Sequence, residues 1–286
     1  MSALSHAGRA IRFVWERSPE QVRTLKPVRA CGALIHRHVS RSTTLGQSHC
    51  TWFMRNVPQL EVLREQIGGG KAGSTVRVLS VGCSTGAELY SCLFVLRKAH
   101  PDLHIVGRGV DLSRGAVEAA RAGLFHPDRS AAEGIGTFEA GESELKGLPP
   151  GLTEMLFEEE DGSFRVRDWI RTDTTWVVGD ASDPRLADHL GGWDLVMANN
   201  FLGPMPDEDA ERCLRSIVKL VKPGGYLALD GVNLNLKTRV MASLDLAPVC
   251  GRLEEIHHAD RSKGGWPWTR WSHEPVDRSR RDWRTR

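Results

Sequence analysis

Val76-Arg77-Val78-Leu79-Ser80-Val81-Gly82-Cys83-Ser84-Thr85-Gly86-Ala87-Glu88 is the stretch that decides the fold. An apolar, β-branched run leads straight into a small-residue turn bracketed by two glycines. Leu89-Tyr90-Ser91-Cys92-Leu93-Phe94-Val95-Leu96 follows with helix-compatible patterning. The reading is a strand, a glycine turn and a helix start. Glycine accepts positive φ and lets a ligand approach without meeting a Cβ atom, and the helix N-terminus offers that ligand free backbone N–H groups.

Spacing narrows what the turn holds. A dinucleotide fingerprint needs G-x-G-x-x-G and a P-loop needs a Lys after its last Gly, and neither is present. Instead Ala87 and Glu88 follow Gly86, and a carboxylate there repels phosphate but suits a cation. The zwitterionic amino-acid end and sulfonium of S-adenosylmethionine meet that requirement. A second strand, Leu103 to Val110, ends at Asp111, where an open α/β sheet places an acid that hydrogen-bonds ribose hydroxyls. A third, Thr175 to Gly179, ends at Asp180, placed to accept from an adenine amino group. Both aspartates are also the residue type of a helix N-cap. Strand and helix alternate through Gly231, so the fold class is α/β, a doubly wound, mostly parallel sheet; S-adenosylmethionine as its ligand would make it class I methyltransferase-like. Cys250 to His258 and Trp268 to His273 read as a terminal antiparallel strand pair.

The 286 residues, 40% of them hydrophobic, suffice for a substantial core, and a formal charge of +2 implies no general attraction to nucleic acid or membrane. Six cysteines without a C-x-x-C pair or metal spacing fit reduced thiols in the cytoplasm, and no metal site is expected. No apolar run approaches the roughly 20 residues of a membrane span. Residues 1–48 are basic and read as an irregular arm or lid with a short helix near Pro19 to Leu25, and 49–286 as the catalytic domain. Gln59 to Ile67 and Leu234 to Leu244 read as helices. Glycines, prolines and acids between Phe125 and Asp161 mark an insertion expected to be partly mobile.

Cys83-Ser84-Thr85-Gly86-Ala87-Glu88-Leu89-Tyr90-Ser91 resembles the cofactor loop C-S-T-G-E-E-P-Y-S of the chemotaxis-receptor glutamate methyltransferases, the CheR family. Thr51-Trp52-Phe53-Met54-Arg55 is similar to that family's T-x-F-F-R. Trp193-Asp194-Leu195-Val196-Met197-Ala198-Asn199-Asn200 resembles its F-D-L-I-x-C-R-N strand, and Leu220-Val221-Lys222-Pro223-Gly224-Gly225-Tyr226-Leu227 its L-K-P-G-G-Y-L turn. The resemblance runs in order from His49 to Gly231. It implies S-adenosylmethionine as cofactor, held by Thr51, Arg55, Gly82, Cys83, Ser84, Thr85, Gly86, Glu88, Asp111, Leu112, Asp180, Ala181, Asn199 and Asn200. Arg55 and Asn200 are the residues expected at the reacting groups.

Departures fall on the acceptor side. The family follows R-N with V-L-I-Y-F, whereas here Phe201-Leu202-Gly203-Pro204-Met205 follows Asn200, so Pro204 stands where the pocket tyrosine belongs. The Arg of R-N is Asn199, the first Glu of the loop is Ala87, and the receptor-gripping N-terminal domain has at most a short counterpart. Three functions therefore stand open. They are methyl transfer to a small molecule or a non-receptor protein site, protein glutamate O-methylation, and a non-catalytic cofactor-binding or scaffold role. A carboxylate acceptor needs no general base, and Arg55 would orient it by a bidentate pair. A hydroxyl or amine acceptor needs one, with His257, His258 and His273 as candidates. If Thr51 and Arg55 lie on a helix, their spacing of four puts them on one face. The segment Gly264 to Trp271, aromatic and basic, either covers the sheet edge or lines the acceptor pocket.

Overall fold

Four of the strands expected from the sequence form a parallel sheet with a fifth, and their carboxyl ends carry the residues singled out above. The structure, a computed structural model, describes residues 6–42, 49–133, 142–244, 246–259, 264–269 and 274. In chain order the elements are α1 (His6–Arg17), α2 (Glu20–Arg23), α3 (Lys26–Ser42), α4 (Val57–Ile67), β1 (Thr75–Val81), α5 (Ala87–Ala99), β2 (His104–Asp111), α6 (Arg114–Ala122) and β3 (Leu124–Phe125). Then come α7 (Pro150–Leu156), β4 (Phe157–Glu160), β5 (Ser163–Val166), α8 (Asp168–Arg171), β6 (Thr174–Val178), α9 (Leu186–Leu190), β7 (Trp193–Asn199), α10 (Asp207–Val218), β8 (Val221–Asp230), α11 (Leu234–Ala242) and α12 (Leu253–Ala259).

The main sheet has the order β6-β2-β1-β7-β8, every pair parallel. Strand order reverses at β1, because the chain winds outward through β2 and β6 and then returns to add β7 and β8 on the other side. In an open α/β sheet that reversal opens a crevice at the carboxyl ends, where ligands bind. The buried runs are continuous rather than alternating because both faces are covered. One face packs against α4, α5 and the 124–166 region through Leu63, Leu89, Leu93 and Phe157, the other against α10 and α11 through Val196, Leu214, Ile217 and Val240.

Three expectations need correction. First, residues 6–42 are helical rather than irregular: Trp15 of α1 packs edge-on against Trp266 at 5.5 Å, and Arg29 of α3 pairs with Glu274 at 2.6 Å. A Cβ on Gly32 would lie 2.3 Å from Trp266, so the glycine is what lets that indole seat on α3. Second, Cys250 to His258 is not a strand. Leu253 and Ile256 are spaced three apart, with Glu254 and Glu255 in the first turn and His257 and His258 in the last, an arrangement that suits the helix dipole. Of its proposed partner, Trp268 and Thr269 lie in a turn and residues 270–273 lie outside the described residues. The antiparallel pairing sits elsewhere, in a small sheet of order β3-β5-β4 built from the insertion. Third, residues 51–55 are not helix: 51 and 52 have no regular structure and 53–56 form a turn. Met54 has φ +55°, and α4 starts only after Asn56, whose side chain caps it by accepting from the Gln59 N–H at 3.2 Å.

The insertion is tied to the glycine turn by a buried acid. The Glu144 side chain is fully buried and accepts from Thr85 Oγ1 (3.0 Å), Ser130 Oγ (2.9 Å) and the Ala131 N–H (3.0 and 3.1 Å). Its backbone oxygen accepts from the Phe53 N–H at 3.0 Å, and the Phe53 ring sits edge-on to Phe125 and Phe157 at 4.8 and 4.7 Å. A buried polar group is tolerated only when so satisfied, and removing it leaves its donors unpaired at about 1–3 kcal/mol each. Glu144→Ala is expected to lower unfolding free energy in urea by about 3 kcal/mol or more, and Glu144→Gln by less because one oxygen remains. A loss below about 1 kcal/mol for the alanine variant would contradict this role.

Candidate active site

The turn after β1 is shaped by β2. Gly82 and Cys83 both donate their backbone N–H to the Val110 carbonyl, at 2.8 and 3.0 Å. Ser84 has φ +52°, and its N–H donates to Asp111 Oδ2 at 2.8 Å, while Asp111 Oδ1 accepts from the Ser113 N–H at 2.9 Å. Ser113, not Asp111, is the N-cap of α6, so the aspartate is not spent on a cap. Its carboxyl group braces the turn, and each oxygen keeps acceptor capacity for a further donor. The Thr85 hydroxyl is held by Glu144. Cys83 is buried, and burial first, with Asp111 and Glu88 nearby, pushes its thiol well above the ordinary range. That disfavours the reactive thiolate.

The two bracketing glycines serve close approach, but of the chain's own rings. A Cβ on Gly82 (φ +68°) would lie 2.7 Å from Phe201, and one on Gly86 (φ +90°) 2.6 Å from Trp176. Trp176 thereby reaches across to Tyr90 at 5.1 Å, and the Tyr90 hydroxyl donates to the Ala120 carbonyl at 2.7 Å. Burial raises that phenol to about 12.

Beside the turn lies a cleft of about 330 Å³, its open mouth included, lined among the described residues by ten from four regions. The 49–56 loop and α4 supply Trp52, Arg55 and Gln59 among others, α5 supplies Glu88, β7 leads to Asn199 and Asn200, and β8 ends in Asp230. Arg55 lies over the Trp52 ring at 4.7 Å and donates to the Cys50 carbonyl at 3.1 Å. The loop that carries it is pinned by Ser84 Oγ donating to the His49 carbonyl at 3.0 Å and by the Met54 N–H donating to Ser91 Oγ at 2.9 Å. Asn199 Nδ2 donates to Gln59 Oε1 at 2.9 Å and to Glu88 Oε1, two acceptors that settle which way its amide points. Its Oδ1 is buried without a partner among the described residues. Asn200 has φ +67°, a strained value for a residue other than glycine, and its N–H donates to the Asp230 carbonyl at 2.9 Å.

The expected residues thus divide. Arg55, Glu88, Asn199 and Asn200 converge on the cleft, and Gly82, Cys83, Ser84, Thr85, Gly86 and Asp111 form the adjacent turn and its brace. Thr51 is buried in the same loop as Arg55. Asp180 is exposed, and its Oδ1 accepts from the Ser182 N–H and hydroxyl at 2.8 and 2.7 Å in a local turn at the end of β6. Leu112 is largely exposed beside Asp111, and Ala181 is half-buried. His257 and His258 stand on α12, edge-on to each other at 4.9 Å and outside the cleft lining, and His273 lies outside the described residues. Trp266 covers α1 and α3 rather than the cleft. Sequence reasoning passed over Gln59, Asp230 and His49. Asp230 ends a strand on the same sheet edge as Asp111, a signal open to the same rule.

Asn199 Oδ1 is buried without a partner among the described residues, and a carboxyl group, Glu88, lines the same cleft from the first turn of α5. Such an acceptor-rich margin fits the cationic amino-acid end of S-adenosylmethionine better than it fits a phosphate. Fold and turn together define the S-adenosylmethionine-dependent methyltransferase class. Residues 49–242 match the family described as CheR methyltransferase, SAM binding domain, and the chain belongs to that family. It is similar to chemotaxis protein methyltransferase 2 of Vibrio cholerae, with 27% identity over 63% of this chain and 60% of that protein. It is also similar to the probable biofilm formation methyltransferase WspC of Pseudomonas putida, with 26% identity over 66% of this chain and 42% of that protein. The chain therefore spans about 60% and 42% of the length of these relatives. Among solved structures, an O-methyltransferase family protein from Burkholderia thailandensis is similar at TM-score 0.35 and 17% identity, over 77% of this chain and 51% of that one. Among the described residues no helix is long and apolar enough to cross a membrane. None of their His, Cys, Asp and Glu side chains group in a way that could hold a metal ion.

Burial lowers the His49 pKa below its ordinary 6.5, with Asp111 opposing. The unfolded chain then takes up a proton near 6.5 that the folded chain refuses, so this histidine's stabilisation is present above about pH 6.5 and lost as pH falls through the lower folded value. His49→Asn is expected to flatten the fall in urea-unfolding free energy between about pH 7 and pH 5, and an unchanged slope would contradict this. Asp111→Ala is expected to weaken S-adenosylhomocysteine binding by about 1–3 kcal/mol in calorimetry, and unchanged affinity would remove Asp111 from the site.

Proposed function

We propose that this chain transfers a methyl group from S-adenosylmethionine to a small molecule or to a protein site other than a receptor glutamate, in the cytoplasm. The observation that carries the reading is the placement of the cleft. It opens at the β1/β7 reversal next to the Ser84 turn, with the carboxyl ends of β7 and β8 on its far side. That separates a cofactor half, on β1, β2 and β6, from an acceptor half, on β7 and β8. We place the cofactor against Gly82 to Gly86, with Glu88 and Arg55 at its amino-acid end, Asp111 at its ribose, and Asp180 with Ala181 toward its base. The catalytic domain begins at His49 in this reading, and the helical arm docks on the Trp266 segment.

When bound, S-adenosylmethionine supplies a methyl carbon on a sulfonium, to which the acceptor's lone pair bonds in line as the S–C bond breaks and its electron pair stays on sulfur. The chain contributes alignment and exclusion of water. Asn200, held by the Asp230 carbonyl in its left-handed conformation, presents its amide at the acceptor half. Arg55 fixes the cleft wall through Trp52 and the Cys50 carbonyl.

Glutamate O-methylation is the second reading, favoured by Arg55 on the cleft and by the name of the Vibrio cholerae relative. The reading is tested by titrating the protein with S-adenosylmethionine and S-adenosylhomocysteine, then assaying labelled methyl transfer to an acidic peptide and to a cell extract. Saturable one-to-one binding with transfer to extract components and no base-labile product on the peptide is expected. A base-labile peptide ester would establish the second reading, and binding without any transfer the scaffold role. Arg55→Ala is expected to lower turnover more than cofactor affinity, because Arg55 at the cofactor's amino-acid end also orients the acceptor, and equal loss of both would contradict that second role.

A further inference from the structure

Among the described residues that line the cleft, Asn199 carries the one buried side-chain polar atom without a partner, its Oδ1. The side chain is only 6% exposed, and its other end is fully spent. Both hydrogens of Nδ2 are taken, by Gln59 Oε1 at 2.9 Å and by Glu88 Oε1. Two acceptors on one nitrogen fix the plane of the amide as well as its flip. Turned over, the amide would set its oxygen against two other oxygens, so Oδ1 cannot be exchanged for a donor.

Gln59 reaches Asn199 from the first turn of α4 and is itself placed by a cap. Its backbone N–H donates to Oδ1 of Asn56, the buried N-cap, at 3.2 Å, and Asn56 Nδ2 donates in turn to the Ile256 carbonyl of α12 at 3.0 Å. The Asn199 amide is therefore held between α4 and α5, while its backbone belongs to β7. With Gln59 removed, Nδ2 would keep Glu88 alone, and the amide would be free to turn about that bond. A buried acceptor without a partner costs free energy until a donor arrives, so the oxygen favours a ligand that brings an N–H. The reading above puts the ribose at Asp111 and the base toward Asp180, after β2 and β6 on the other side of β1. That leaves the α-ammonium group, beside Glu88, as the cofactor's donor nearest β7.

We propose that Gln59 is a positioning residue of the cofactor site, which with Glu88 locks the Asn199 amide so that Oδ1 takes an N–H of the α-ammonium group. Gln59 acts through Asn199 and touches no reacting atom. The inference rests on the reading that S-adenosylmethionine binds at the glycine turn, and it extends that site to α4.

Calorimetry on the full chain with three ligands separates this role from a merely structural one. They are S-adenosylhomocysteine, its decarboxylated analogue, which keeps the amine, and methylthioadenosine, which lacks the whole amino-acid end. The native chain is expected to bind the decarboxylated analogue more tightly than methylthioadenosine. Gln59→Leu should weaken both amine-bearing ligands about tenfold, equivalent to about 1.4 kcal/mol, and leave methylthioadenosine within about twofold, which also shows that the variant is folded. Gln59→Glu, which keeps an acceptor for Nδ2, should restore most of the loss. In an Asn199→Leu background, Gln59→Leu should cost less than about twofold more, because the two residues act as one unit. No preference for the amine in the native chain, equal losses for all three ligands, no loss for any, or a tenfold loss that persists without Asn199 would overturn the role and leave cofactor binding intact. Absence of S-adenosylhomocysteine binding by the native chain would overturn the underlying reading itself.

Discussion

The site depends on a buried carboxyl group that lies outside it. Glu144, inaccessible to solvent, gathers donors from the glycine turn (Thr85) and from its own insertion (Ser130 and Ala131), and its backbone holds the 49–56 loop through Phe53. These three segments are far apart in sequence, Thr85 and Glu144 being 59 positions apart. Left to local preference, a turn with a left-handed Ser84 and a loop with a left-handed Met54 would each sample many conformations. One satisfied acid selects a single arrangement of both, and that arrangement sets where Arg55 and Trp52 face the cleft. The acid is worth its desolvation only while every donor is present, so the segments stand or fall together.

Asp111 plays the same part from the sheet side. It is buried, it accepts from Ser84 and Ser113, and it links the turn after β1 to the start of α6. Because β1 and β2 pair in register from Thr75 to Val81, the end of one strand is placed against the end of the other by seven consecutive partners. The proposed cofactor half is therefore built on rigid elements. The proposed acceptor half is built on two strand ends where Asn200 and Gly231 both take positive φ, and a Cβ on Gly231 would lie 2.8 Å from the Asn200 backbone. Side chains there have little freedom to retreat from one another.

Much of this was legible from residue order. The strands β1, β2, β6 and β7 follow from β-branched runs that end in Gly, Asp or Asn, and α5 from the apolar residues after Gly86, because both signals are local and periodic. The α1 and α3 helices are hard to read from sequence since three arginines are scattered through each and no acid opens either one, although Val28, Gly32, Ile35 and Val39 carry helical spacing. The α12 segment reads as a strand in the sequence because seven residues are too few for the two periods to separate. Glu144 left no trace at all. It sits among glycines and serines with no pattern around it, and its role comes entirely from contacts that only the folded chain creates. Asp230 was missed for a different reason: a Lys-Pro-Gly-Gly run interrupts the register of β8, with Trp193 facing Val221 but Leu195 facing Tyr226, and draws attention to the turn rather than to the strand end beyond it.

The division of the crevice into a cofactor half on β1, β2 and β6 and an acceptor half on β7 and β8 is tested most directly by a crystal structure of the chain with S-adenosylhomocysteine bound. The account predicts the nucleoside against the Ser84 turn and Asp111, with the sulfur directed into the cleft toward Asn199, Asn200 and Asp230. A ligand whose nucleoside lies over the ends of β7 and β8, or whose sulfur faces away from Asp230, would contradict it.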